Sequence, residues 1–105
     1  MQTHIWISFE FEAWHCWPDA PTECGYLAAR HRHLFKCRAW WPVSHGDRDI
    51  EFIGQKHQAV AVVESLKAQA ETWSCEQWAS RLLGELGASK VEVSEDGENG
   101  ATVEN

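Results

Sequence analysis

No apolar run in the 105 residues approaches the about 20 needed to cross a bilayer. The N-terminus has no basic region leading into an apolar core, which reads as a soluble, cytoplasmic protein without a membrane partner. Basic excess is missing too. Nine Lys and Arg stand against sixteen Asp and Glu, for a formal net charge of −7. Phosphate backbones are met by a basic field, so this balance excludes a general nucleic-acid binder and favours small molecules or proteins as partners. The four cysteines, Cys16, Cys24, Cys37 and Cys75, contain no C-x-x-C pair. A thiolate-only zinc site is therefore not expected, and without an export signal the thiols are expected to be reduced. There are no repeats, low-complexity tracts or linkers, so residues 1–105 read as one domain. A chain this short buries a modest core, and a metal or oligomerisation would reinforce it.

What the chain does have is tryptophan, seven in all. The usual use of so many is core or subunit interface, with ligand stacking as the other reading. "HIWISFEFEAWH" (4–15) alternates. Ile5, Ile7, Phe9, Phe11, Ala13 and His15 share one face, and Trp6, Ser8, Glu10, Glu12 and Trp14 the other, as in a half-buried strand. Residues 16–30 carry Pro18, Asp19, Pro21 and Gly25 and read as a loop. Alternation returns over 31–41, with His31, His33, Phe35, Cys37, Ala39 and Trp41 on one face and Lys36 and Arg38 opposite. Pro42 and "SHGD" are expected to end this strand.

From about Asp49 the period becomes helical. Phe52, Ala59, Val63 and Leu66 form one stripe, with Val62 beside it. A second helix is expected from Ser74, with Gln77 completing a capping box, an apolar face of Trp78, Ala79, Leu82, Leu83 and Leu86, and Gly87 as its stop. "KVEVSE" and "GATVE" then read as strands around "EDGENG", whose Asp-Gly and Asn-Gly pairs signal a hairpin. The order is two strands, two helices, two strands. The expected fold class is α+β, a four-stranded antiparallel sheet with both helices on one face. Its free edges invite pairing between subunits.

Side chains two apart on a strand point the same way, so His31 and His33 project together. If the first two strands pair as a hairpin, His15, at the end of one, lies beside them. An isolated H-x-H reads more readily as a solvated pair; the third histidine turns the reading to a metal site. Three imidazoles suit Zn2+ with a fourth position open, as in catalytic zinc sites. Cys16 and Cys24 are competing ligands from the loop.

Four ordered pieces resemble the 6-pyruvoyltetrahydropterin synthase / 6-carboxytetrahydropterin synthase family, the tunnelling-fold pterin enzymes. "FEFEAWH" (9–15) is similar to the family's first strand, which ends in a zinc histidine. "CGYLAARHRHLF" (24–35) is similar to its cysteine, loop and H-G-H strand. "DIEFI" (49–53) is similar to its acidic-Phe lead into the first helix. "WSCEQWASRLLGEL" (73–86) with "VEVSED" (91–96) is similar to its "PT-x-E-N" helix and the strand that ends in glutamate. The resemblance covers nearly the whole chain.

It implies a homo-oligomer, a tetramer or hexamer, closed into a barrel by edge-strand pairing, with ligand sites between subunits. It implies zinc on His15, His31 and His33, and Glu95 holding the amidine-like edge of a pterin-like heterocycle by two parallel N–H bonds. Read from its residues alone, Glu95 is equally a turn carboxylate. The implied activity is a zinc-dependent lyase or isomerase step on a dihydroneopterin-triphosphate-like substrate, in pterin or deazapurine (queuosine) synthesis, with Cys24 as thiolate acid/base. The alternative is a zinc-containing module that binds a purine- or pterin-like ligand without turnover. The sequence departs from the family at three points. Cys24 stands seven residues before His31 rather than four, Arg32 replaces the glycine between the histidines, and the Asp-His pair of the inter-helix connection is absent. His57, His45 and Glu71 are the substitutes on offer for that pair. The cations of "RHRH" and Lys36 are candidates for phosphate contact.

Overall fold

A computed structural model describes all of residues 1–105. Strands β1 (Thr3–His15) and β2 (His31–Val43) pair antiparallel along their full lengths, with Thr3 opposite Val43 and His15 opposite His31. Thirteen residues at about 3.3 Å each span roughly 43 Å, which accounts for most of the 51 Å long axis. β3 (Lys90–Glu95) pairs with β2 between Phe35 and Trp40, and β4 (Asn99–Glu104) pairs with β3. The sheet order is β1-β2-β3-β4, open at β1 and β4. The architecture is thus α+β on a four-stranded antiparallel sheet, as the alternation implied.

β2 runs two residues past the expected stop at Pro42. Proline is tolerated because β3 begins opposite Trp40. Trp40 turns its carbonyl toward the β3 side, where it accepts from Ser89 N at 2.8 Å. Pro42, two residues on, faces the same side, where no strand asks for its missing N–H.

The helices α1 (Phe52–Leu66) and α2 (Cys75–Leu86) cover one face of the sheet, α1 over β1 and α2 over β3 and β4. Ile7, Phe9, Phe11 and Ala13 of β1, Phe35, Cys37, Ala39 and Trp41 of β2, and Val91 and Val93 of β3 meet the helices' buried side chains in a single core. The α1 stripe is buried at Ala59, Val63 and Leu66, but Phe52 is 53 % exposed. Glu51 caps the helix by accepting from Ile53 N and Gly54 N, and the first turn beyond it projects past the core. α2 follows its expected boundaries. Ser74 Oγ accepts from Gln77 N at 3.1 Å, Gln77 Oε1 accepts from Ser74 N at 2.8 Å, and Gly87 takes the left-handed cap at φ 61°. Ser74→Ala is expected to cost about 1 kcal/mol, read as a fall in thermal midpoint of roughly 4–8 °C.

Three helical segments stand where two helices were expected. The added one is a 3-10 helix at Thr22–Ala28, inside the stretch read as loop. Short 3-10 turns carry no hydrophobic period, so Pro and Gly punctuation masks them. A further 3-10 turn, Lys67–Gln69, continues α1. No helix is long and apolar enough to cross a membrane. Of the two turn signals in "EDGENG", Asp96-Gly97 makes the turn, at φ 59° and 76°, while Asn99-Gly100 opens β4.

Candidate metal centre

The β1–β2 register brings His15 directly opposite His31 and places His33 opposite Ala13. All three rings lie on the helix-covered face, at the end of the sheet where the core thins. One ring nitrogen from each falls within 4.8 Å of the others. His15 Nδ1 and His31 Nε2 are 3.3 Å apart. A tetrahedral zinc with Zn–N bonds of about 2.0–2.1 Å has ligand-to-ligand edges of roughly 3.3–3.4 Å, so this pair already has the spacing of two ligands. The trio can hold a metal ion.

The far sides of two rings are tied down. His31 Nδ1 donates to the Ala29 carbonyl at 2.7 Å, and His33 Nδ1 donates to Asp96 Oδ2 at 2.9 Å. In the neutral rings, each Nε2 then presents its lone pair to the cluster. This is the outer-shell arrangement that orients metal-binding histidines. Burial holds the His15 pKa below the ordinary imidazole value, and His31 and His33 add to the depression while Glu95 opposes it. Its ring thus stays neutral, as ligation requires.

Asp96 is a site residue that sequence reasoning left as a turn residue. Its Oδ1 accepts from Leu34 N at 3.1 Å, and its own N–H donates to Leu34 O at 2.7 Å. These bonds to His33 and to the Leu34 amide hold its carboxyl below the usual range. The turn is therefore clamped to β2 with a carboxylate against His33. Asp96→Asn is expected to weaken metal binding roughly 10–100-fold, measured by competition with a chelator.

Glu95 comes in from β3, opposite Phe35. Its Oε2 lies 2.9 Å from His33 Nε2 and 3.9 Å from His15 Nδ1. The carboxylate is turned toward the histidines. Beside it opens a cleft of about 700 Å³, whose walls include His15, His33, Glu95, Tyr26 and the first turn of α2. The thiol on that wall is Cys75, which burial, Glu95 and Glu76 push up to about 11. Cys75 was legible: it stands three before Trp78 and four before Ala79, on the buried stripe of α2.

Cys24 sits in the 3-10 helix, half-buried at φ −131°, and is not among the residues lining the cleft. His57 is exposed on α1, beside Glu51. His45 lies 3.6 Å from Asp49, and Glu71 pairs with Arg30. None of these joins the histidine trio. The cations are also turned away. Arg32 reaches Glu12 and the ring of Trp14 on the open face of the sheet, Arg30 stacks at 4.4 Å over Trp14, and Lys36 lies on the open face beside Gly97.

Comparison with protein-family models and with curated protein sequences finds no match to this chain.

Proposed function

We propose that this chain is a short, divergent relative of the tunnelling-fold pterin synthases, a zinc-dependent lyase or isomerase acting on a pterin-like substrate in the cytoplasm. The observation that carries this reading is the position of the histidine trio, two of whose members, His15 and His33, line a cleft large enough for a fused heterocycle. When bound, zinc supplies a Lewis acid that polarises a substrate oxygen and acidifies its neighbouring C–H or O–H. His15, His31 and His33 hold it, and Ala29 and Asp96 fix the rings of His31 and His33. The half-buried cleft limits water around the reacting group. Cys75, held protonated at neutral pH, offers a proton donor on the wall.

A second reading is favoured by the placement of Cys24 and His57. With both outside the cleft, the family's proton relay has no counterpart at the positions the resemblance assigns. The chain would then capture a purine- or pterin-like ligand without turning it over. Incubation of zinc-loaded protein with dihydroneopterin triphosphate separates the two. Turnover that survives Cys24→Ala and is lost in Cys75→Ala supports the enzyme with its thiol relocated. Tight binding without turnover supports the module, and neither turnover nor binding overturns both.

The resemblance further proposes a barrel. β1 offers thirteen residues with one unpaired edge, and β4 is the free edge on the other side of the sheet. Long free edges pair. Light scattering at micromolar concentration is expected to give a tetramer or hexamer; a clean monomer sinks the barrel.

A further inference from the structure

Glu95 occupies an unusual place for an acidic side chain. It shares its strand face with Val91 and Val93, the face the helices cover. Its side chain is 31 % exposed, yet neither lysine nor arginine pairs with it. Its ionic partners are His33 and His15. A half-buried carboxylate whose partners are two imidazoles is placed to meet a positive charge on this face.

The tautomers sharpen the demand. His33 Nδ1 donates to Asp96, so Nε2 is the ring nitrogen that faces Glu95 Oε2, only 2.9 Å away. That distance is met by a proton or by a metal ion held between Nε2 and Oε2. The separations around the point of convergence are 2.9 Å for His33–Glu95, 3.3 Å for His15–His31 and 3.9 Å for His15–Glu95. These three edges bracket the roughly 3.3–3.5 Å edge of a tetrahedral zinc with nitrogen and carboxylate ligands, and the other histidine–histidine edges fall within 4.8 Å.

We infer that Glu95 is the fourth metal ligand, making the resting centre a closed site of three histidines and one glutamate rather than a three-histidine site with an open position. The inference rests on the metal reading above but changes what Glu95 does. It binds the metal directly instead of the edge of a heterocycle. A ligand in the cleft reaches the metal by displacing this carboxylate, which the strand-end position of Glu95 leaves room to swing.

The test uses Co2+ as a spectroscopic substitute in the intact chain, comparing wild type, Glu95→Gln, Glu95→Asp and His31→Ala. Affinity is measured by chelator competition and the ligand set by visible absorption. Glu95→Gln is expected to lose affinity roughly 10–100-fold or more, since even outer-shell losses cost that much, and to shift the cobalt bands. Glu95→Asp, which keeps the charge but shortens the reach, is expected to shift the bands as well. Glu95→Gln with wild-type affinity and unmoved bands, while His31→Ala still loses metal, overturns the fourth ligand and leaves the three-histidine site standing. Wild type that takes up neither Co2+ nor Zn2+, or His31→Ala that binds as wild type does, overturns the metal centre and this inference with it.

Discussion

His33→Ala is expected to weaken zinc binding by more than about 100-fold, and His31→Ala by about 100-fold, while both variants keep the fold. A structural zinc centre with four ligands is worth about 10–16 kcal/mol. Divided evenly, one ligand carries about 3 kcal/mol, or roughly two powers of ten in affinity. His33 should exceed that share. Its removal also frees Asp96 from one partner and leaves Glu95 facing an empty corner with His15 at 3.9 Å as its remaining ionic contact. Folding should survive because His33 is half-buried at the end of the sheet and the β1–β2 ladder beneath it is main-chain. Chelator competition reads the outcome. Unchanged zinc affinity in both variants would remove the histidines from the site.

The trio was legible because strand alternation is rigid. A period of two fixes which side chains share a face, and the antiparallel hairpin fixes which strand ends meet. From that, His15, His31 and His33 could be brought together with no knowledge of the helices. Asp96 and Glu95 were harder for one reason. Their relation to His33 depends on the β2–β3 register, which pairs Phe35 with Glu95 at a sequence separation of 60, and no local pattern sets it. Cys75 was readable as a buried position on α2, but its wall of the cleft is made by α2 crossing over the strand ends, a tertiary fact. The 3-10 helix at Thr22–Ala28 and the extension of β2 through Pro42 were missed through punctuation. Proline signals a stop only where an N–H is needed, and neither position needs one. Phe52 was misplaced in the opposite sense: its spacing from Ala59 is right for the stripe, but a helix buries its stripe only where something lies beneath it.

Trp78→Ala is expected to be the most damaging single core change, at about 3–5 kcal/mol out of the 5–15 typical of a whole domain. The side chain is 1 % exposed. It packs against Phe11 at 4.8 Å, Trp73 at 5.0 Å and Phe35 at 6.2 Å between ring centroids. The walls are Phe11 and Phe35 on two strands of the sheet and Trp73 in the connection that leads into α2. The same cluster underlies the histidines, with Phe35 at 6.0 Å from the His33 ring and 6.2 Å from His15. Loss of Trp78 should therefore lower the thermal midpoint by well over 10 °C, at roughly 4–8 °C per kcal/mol, and also loosen the metal centre in the molecules that remain folded. Leu82→Ala provides the contrast. Leu82 is fully buried one turn further along α2, and its truncation costs about 2–5 kcal/mol while leaving every ring of the aromatic cluster in place. Urea titration and chelator competition on both variants separate the effects. If Leu82→Ala weakens metal binding as much as Trp78→Ala does at equal folded fraction, the aromatic cluster is core alone and does not position the histidines.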